Sequence, residues 1–167
     1  MYLLLLRNQM RWTDYIISGL FVWLMQLILS DFLAIETVRP DFPVILILYW
    51  SVKYGRAVGT VSGFLLGLLV DLSGTATFFG LSPLIYSVTG YLGGNLAGSY
   101  SKINPFYFSI TWITILAFQF LIFCGVQYQD LWFINWYLFF GKWLGTTLYT
   151  LSFIGILQFI YPLHRVA

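Results

Sequence analysis

Charge is scarce in this sequence. Lys and Arg number 8 and Asp and Glu 6, so charged side chains make up 8% of the 167 residues, against roughly 25% in soluble domains. The hydrophobic fraction is 60% and the mean hydropathy +0.85. So few charges cannot hold a compact body this apolar in water, and lipid must be its solvent. Histidine and cysteine are nearly missing as well: His164 and Cys124 are the single examples. One cysteine closes no intramolecular disulfide, and one Cys with one His cannot complete a tetrahedral zinc site. A lone histidine in the C-terminal tail serves no catalytic dyad or metal cluster inside the apolar runs. The acids stand singly, without the close carboxylate pair that magnesium binding or acid–base chemistry requires. The glycine stripes follow no strand and carry no Lys-Ser/Thr ending, so they are not phosphate loops. The net charge is +2 and the basic residues are scattered, which is not a nucleic-acid footprint. No catalytic residues, cofactor, metal or nucleic-acid partner are expected.

What fills the chain instead is apolar sequence in long runs. Six membrane crossings of about 20 residues take about 120 residues, which leaves no room for a soluble domain. The expected fold is an all-α integral membrane protein, a six-transmembrane-helix bundle forming a single polytopic domain over 1–167. Its spans lie at about 15–34, 42–52, 57–73, 78–97, 106–126 and 136–161. The second is short: eleven residues make about 17 Å of helix against a hydrocarbon core of about 30 Å. Pro43 suits its first turn, and Lys53 and Arg56 lengthen it by snorkelling. The alternatives for this stretch are a re-entrant hairpin or a strongly mismatched helix. The opening Met1–Arg7 is too short for a signal-peptide core and is expected to be an unprocessed cytoplasmic or interfacial lead-in.

The basic residues orient the bundle. With both termini inside, Arg7, Arg11, Lys53, Arg56, Lys102 and Arg165 fall on the cytoplasmic side, leaving Arg39 and Lys142 on the other. This is the asymmetry of the positive-inside rule, and Trp12, Trp50, Trp132 and Trp136 fall near span ends as an interfacial belt would require.

Small residues recur at helical spacing. Gly59, Gly63 and Gly67 mark the third span, Gly90, Gly94 and Gly98 the fourth, and Gly141 and Gly145 the sixth. Helices in lipid gain little by hiding leucine, whereas small residues let two backbones approach and gain dispersion contacts. The expectation is packing of the third helix on the fourth, with a seam for another protein as the alternative. Asp71 lies about 22 Å along the helix from Arg56, where an ionisable group is costly unless paired, protonated or hydrated. It is expected to cap the following turn or to pair with Lys142, which lies at comparable depth about 9 Å beyond Trp136. The outer loop carries Arg39, Pro40 and Asp41, read as a solvated segment with headgroup binding as the alternative. Asn95, Gln119, Thr89 and Gln26 are the polar groups a small-solute pocket would use, and their depths do not obviously converge.

The order of these pieces resembles the bacterial rod shape-determining protein MreD family. The match runs from Arg39-Pro40-Asp41 through a helix ending Tyr49-Trp50 to Gly59-x-x-x-Gly63-Phe64-Leu65-Leu66-Gly67-Leu68-Leu69-x-Asp71. Gly80-Leu81 and a helix with Tyr86 and Tyr91 follow, so the resemblance spans about 39–98, over a third of the chain. It implies a place in the elongation machinery (the elongasome) that drives peptidoglycan synthesis along the lateral wall and maintains cell shape. The implied location is the bacterial cytoplasmic (inner) membrane. The implied partners are MreC and, directly or through it, RodA, a class B penicillin-binding protein and MreB. The family has no established catalytic residues. Its fold resembles the S-components of energy-coupling-factor transporters, which implies an outward cavity near Asp71.

Two functions follow as expectations. The first is a non-enzymatic membrane scaffold that docks MreC's transmembrane helix, or a second copy of this chain, by helix packing. The second is a small-solute or vitamin-binding subunit of a membrane transporter.

Overall fold

Helices form where the apolar runs lie between Asx, proline and glycine punctuation. The computed structural model describes residues 12–35, 38–75, 78–100 and 102–163. Arg7, Arg11, Glu36, His164, Arg165 and the Trp12 side chain lie outside the described residues. In chain order the helices are α1 (Trp12–Phe32), α2 (Phe42–Tyr54), α3 (Arg56–Val70), α4 (Leu81–Gly94), α5 (Pro105–Gln127), α6 (Gln129–Ile134) and α7 (Trp136–Ile160). Among the described residues three helices begin on a side-chain cap. Asp41 accepts from the Val44 amide, Asn104 from Phe106 and Asn135 from Leu138, each satisfying a donor that the helix start leaves free.

Three helical stretches are long and apolar enough to cross a membrane: Arg56–Gly74, Pro105–Gln127 and Trp136–Ile160. Tyr15–Leu29 and Phe42–Tyr54 are shorter apolar helices. The protein is thus all-helical among the described residues and built of membrane-type helices, with fewer full-length spans than the six expected. The outer surface carries large apolar side chains, with Phe159 94% and Phe133 87% exposed, as a lipid-facing surface would.

The short second run is the hub of the bundle. Val44, Ile47 and Leu48 of α2 are fully buried, and α1, α3, α4 and α7 all contact this helix. α3 and α4 form the tightest pair, α5 lies on α4, and α7 packs on α5. Trp112, Leu116 and Phe120 of α5 and Ile154 of α7 complete the core. A helix packed by protein on most of its sides has little lipid to match, so its brevity carries little mismatch cost.

Two boundaries differ from expectation for backbone reasons. α4 covers Leu81–Gly94 rather than 78–97, because Gly80 stands at φ 97 and Gly98 at φ 67, conformations that glycine adopts without a Cβ clash. Between them the amides of Asn95, Leu96 and Ala97 bond three residues back, tightening the last turn before the chain reverses. α3 ends in a widened π-turn, Asp71–Thr75. The Leu69 carbonyl there accepts from the Trp23 indole at 3.1 Å and the Ser73 hydroxyl at 2.7 Å. α6 was not expected: it is a short element of exposed Trp132, Phe133 and Ile134.

Candidate functional site

The glycine stripes of α3 and α4 face each other backbone to backbone. A methyl group on Gly59 would collide with the Gly90 carbonyl, one on Gly63 with the Tyr86 carbonyl, and one on Gly67 with the Pro83 backbone. In return, one on Gly90 would strike the Gly59 carbonyl and one on Gly94 the Arg56 backbone. The antiparallel pairing is continuous, and Ser51 of α2, wholly buried, fits against Gly59 and Gly93. Three helices therefore meet at small residues, and α4 occupies the seam on α3 that a partner helix would need. Gly98 is not part of it: a Cβ there would meet nothing within 4 Å, because the helix has already ended.

The Arg39-Pro40-Asp41 segment is not simply a solvated loop. Pro40 is fully buried and Arg39 exposed. The Asp41 carboxylate accepts from the Tyr86 hydroxyl at 2.7 and 2.8 Å and from the Val44 amide at 3.2 Å. The Asp41 amide donates to Thr150 of α7 at 3.4 Å. Gln26 of α1 donates to the Pro40 carbonyl at 3.2 Å and accepts from the Phe42 amide at 2.9 Å. Tyr149 of α7 reaches back to the Leu33 carbonyl at 2.9 Å. α1, α2, α4 and α7 are thus joined at one polar knot. Burial there pushes the Asp41 carboxyl up to about 6, although the bonds from Tyr86 and Val44 pull the other way. Burying a charge favours its neutral form, and here that effect is the larger.

Asp71 and Lys142 are not brought together. The Asp71 side chain is 4% exposed. Its Oδ2 accepts from the Gly80 amide at 2.6 Å, tying the end of α3 to the start of α4, while Oδ1 has no hydrogen-bond partner among the described residues. The Lys142 ammonium lies 5.0 Å from the centre of the Tyr128 ring, a cation–π contact on the α5–α7 side. The two groups sit on different helix pairs, which is why the ion pair does not form.

The four polar residues considered for a solute pocket do not converge on one: only Thr89 and Gln119 line a common cavity, of about 40 Å³. Thr89 donates to Gln119 across α4 and α5 at 2.7 Å, Gln26 serves the polar knot, and Asn95 bonds its own helix at the Tyr91 and Leu92 carbonyls. A groove of about 500 Å³ lies elsewhere, between α1, α2 and α7, and its lining does not include Asp71. Among the described residues there is no group of three or more His, Cys, Asp or Glu able to hold a metal ion.

The sequence did not single out Tyr86 or Thr150 as partners of Asp41. They lie 45 and 109 positions from it, and nothing local marks them. A tyrosine and a threonine in otherwise apolar runs were the available signal.

A family model described as rod shape-determining protein MreD matches residues 6–166. No curated protein and no solved structure matches the chain.

Proposed function

The chain belongs to the MreD family of rod shape-determining proteins, and from that membership we propose that it is a non-enzymatic scaffold of the wall-elongation machinery. The family is one of membrane proteins that determine cell shape, not a known family of enzymes. In this reading the chain crosses the inner membrane six times with both termini cytoplasmic. It docks the transmembrane helix of MreC and thereby fixes where RodA, the class B penicillin-binding protein and MreB assemble.

The match over nearly the whole chain carries the reading, and the packing supports a particular docking face. Because α4 fills the seam on α3, a partner helix needs small residues that remain open. The outer face of α7 offers them: Gly141, Ser152 and Gly155 are exposed on one side of the helix, with the exposed Leu148 between them. A Cβ on Gly141 or Gly155 would meet nothing within 4 Å. Interhelical hydrogen bonds average only about 0.6 kcal/mol in such settings, so shape must supply most of the specificity.

Replacing Gly141 and Gly155 with Leu should lower recovery of MreC with the tagged protein several-fold, with the melting temperature in detergent unchanged. Recovery at the wild-type level would exclude this face as the docking surface.

A further inference from the structure

α1 and α7 stand apart over α2 and leave the groove of about 500 Å³. Its floor is Ile45 and Leu46, and its walls include Met25 of α1 and Leu157 of α7. Phe42 lies toward one end, and Lys53 with Tyr54 toward the other. From Phe42 to Lys53 is about 16 Å of helix. The lining is apolar until the Lys53 end, where the exposed ammonium sits 4.8 Å from the centre of the Tyr54 ring. There the Tyr49 hydroxyl donates to the Tyr161 carbonyl at 2.8 Å, holding the end of α7 over α2.

We propose that this groove holds one anionic phospholipid, with an acyl chain lying along α2 and the phosphate at Lys53.

Charge favours that occupant over a protein helix, and the size of the groove accommodates it. The volume lies in the usual range for a small-molecule site, and the apolar lining suits a hydrocarbon chain. An apolar membrane helix would press apolar side chains against Lys53, and stripping water from an ammonium without pairing it is costly. A phosphate meets the same ammonium with a charge-assisted hydrogen bond. Basic pockets between membrane helices on the cytoplasmic side bind anionic headgroups for this reason. The choice of leaflet rests on the orientation proposed above, whereas the groove and its cation do not.

The test uses the full chain purified in detergent and titrated with dioleoyl phosphatidylglycerol or dioleoyl phosphatidylcholine under native mass spectrometry. The wild type should retain the anionic lipid about fivefold better, the preference expected of one basic residue near a charged headgroup. Lys53→Gln should abolish that preference and Lys53→Arg should keep it. Leu157→Trp, which narrows the groove from an already half-exposed wall, should lower retention of both lipids with the melting temperature maintained. An undiminished preference in Lys53→Gln, or undiminished retention of both lipids in Leu157→Trp, would overturn the proposal. So would capture of a partner helix or a second copy of this chain by a photo-crosslinker placed at Leu46. Recovery of MreC from the same preparations reports on the α7 face, so failure of the lipid site and failure of the scaffold reading remain separate results.

Discussion

At the residue scale, Asp41 has the most consequential surroundings. Its carboxyl is raised from an ordinary 3.8 to about 6 by burial. The native state therefore binds the proton before the unfolded chain does, and stability falls as pH rises from about 4 to about 6, then levels off. Thermal unfolding in detergent should give a higher midpoint at pH 4.5 than at pH 7.5 for the wild type. The Asp41→Asn variant should lose that difference, and an equal slope in both proteins would mean that another group titrates. Tyr86→Phe removes the hydroxyl that bonds both carboxylate oxygens and should cost about 1 kcal/mol of stability. The sequence made Asp41 legible as part of an outer Arg-Pro-Asp motif but not as the centre of a knot. Its partners Tyr86 and Thr150 come from helices remote in the chain, and only folding brings them to it and Gln26 to the flanking Pro40 and Phe42 backbone. Asp71 shows the complementary case. That it serves the following turn could be anticipated from its place at the end of a span, but the Gly80 amide could not, because the choice depends on how the turn closes.

At the scale of elements, the α3–α4 pair sets the architecture. Glycines at four-residue spacing in two adjacent spans were readable because the close approach of two backbones demands them. Gly98 looked like a member of the same stripe because spacing alone does not reveal where a helix ends. Substituting Gly63 or Gly90 with Val should destabilise the protein by at least 1–3 kcal/mol, since the added atoms collide with a carbonyl rather than with a movable side chain. Gly98→Ala meets no neighbour and should cost only the strain of a left-handed backbone, about 1 kcal/mol. Equal losses in melting temperature for the seam and turn variants would contradict this division. The brevity of α2 was also visible, but its reason was not. Eleven apolar residues read as a deficient crossing when lipid is assumed on all sides, whereas the helix is covered by its neighbours everywhere but along the groove.

At the scale of the whole molecule, membrane character was legible from composition, because so few charges cannot solvate so apolar a chain. The location of its open surfaces was not legible. The groove lies at Lys53 and its lining does not include Asp71, and α4 itself covers the α3 glycines, so the partner face we propose is the outside of α7. Periodicity shows which helix faces are small or apolar, but not which of them the chain covers itself. The proposed six crossings place Lys102 and Asp130 on opposite sides of the membrane. Single cysteines at these positions, in a Cys124→Ser background, should react with a membrane-impermeant maleimide only at 130 in intact cells. Labelling of both from one side would remove the topology.

The function itself is tested most directly by depleting the protein from a rod-shaped host that depends on it. The scaffold account predicts that cells round up while growth medium makes no difference. Rods of normal shape that instead require an added nutrient would contradict it.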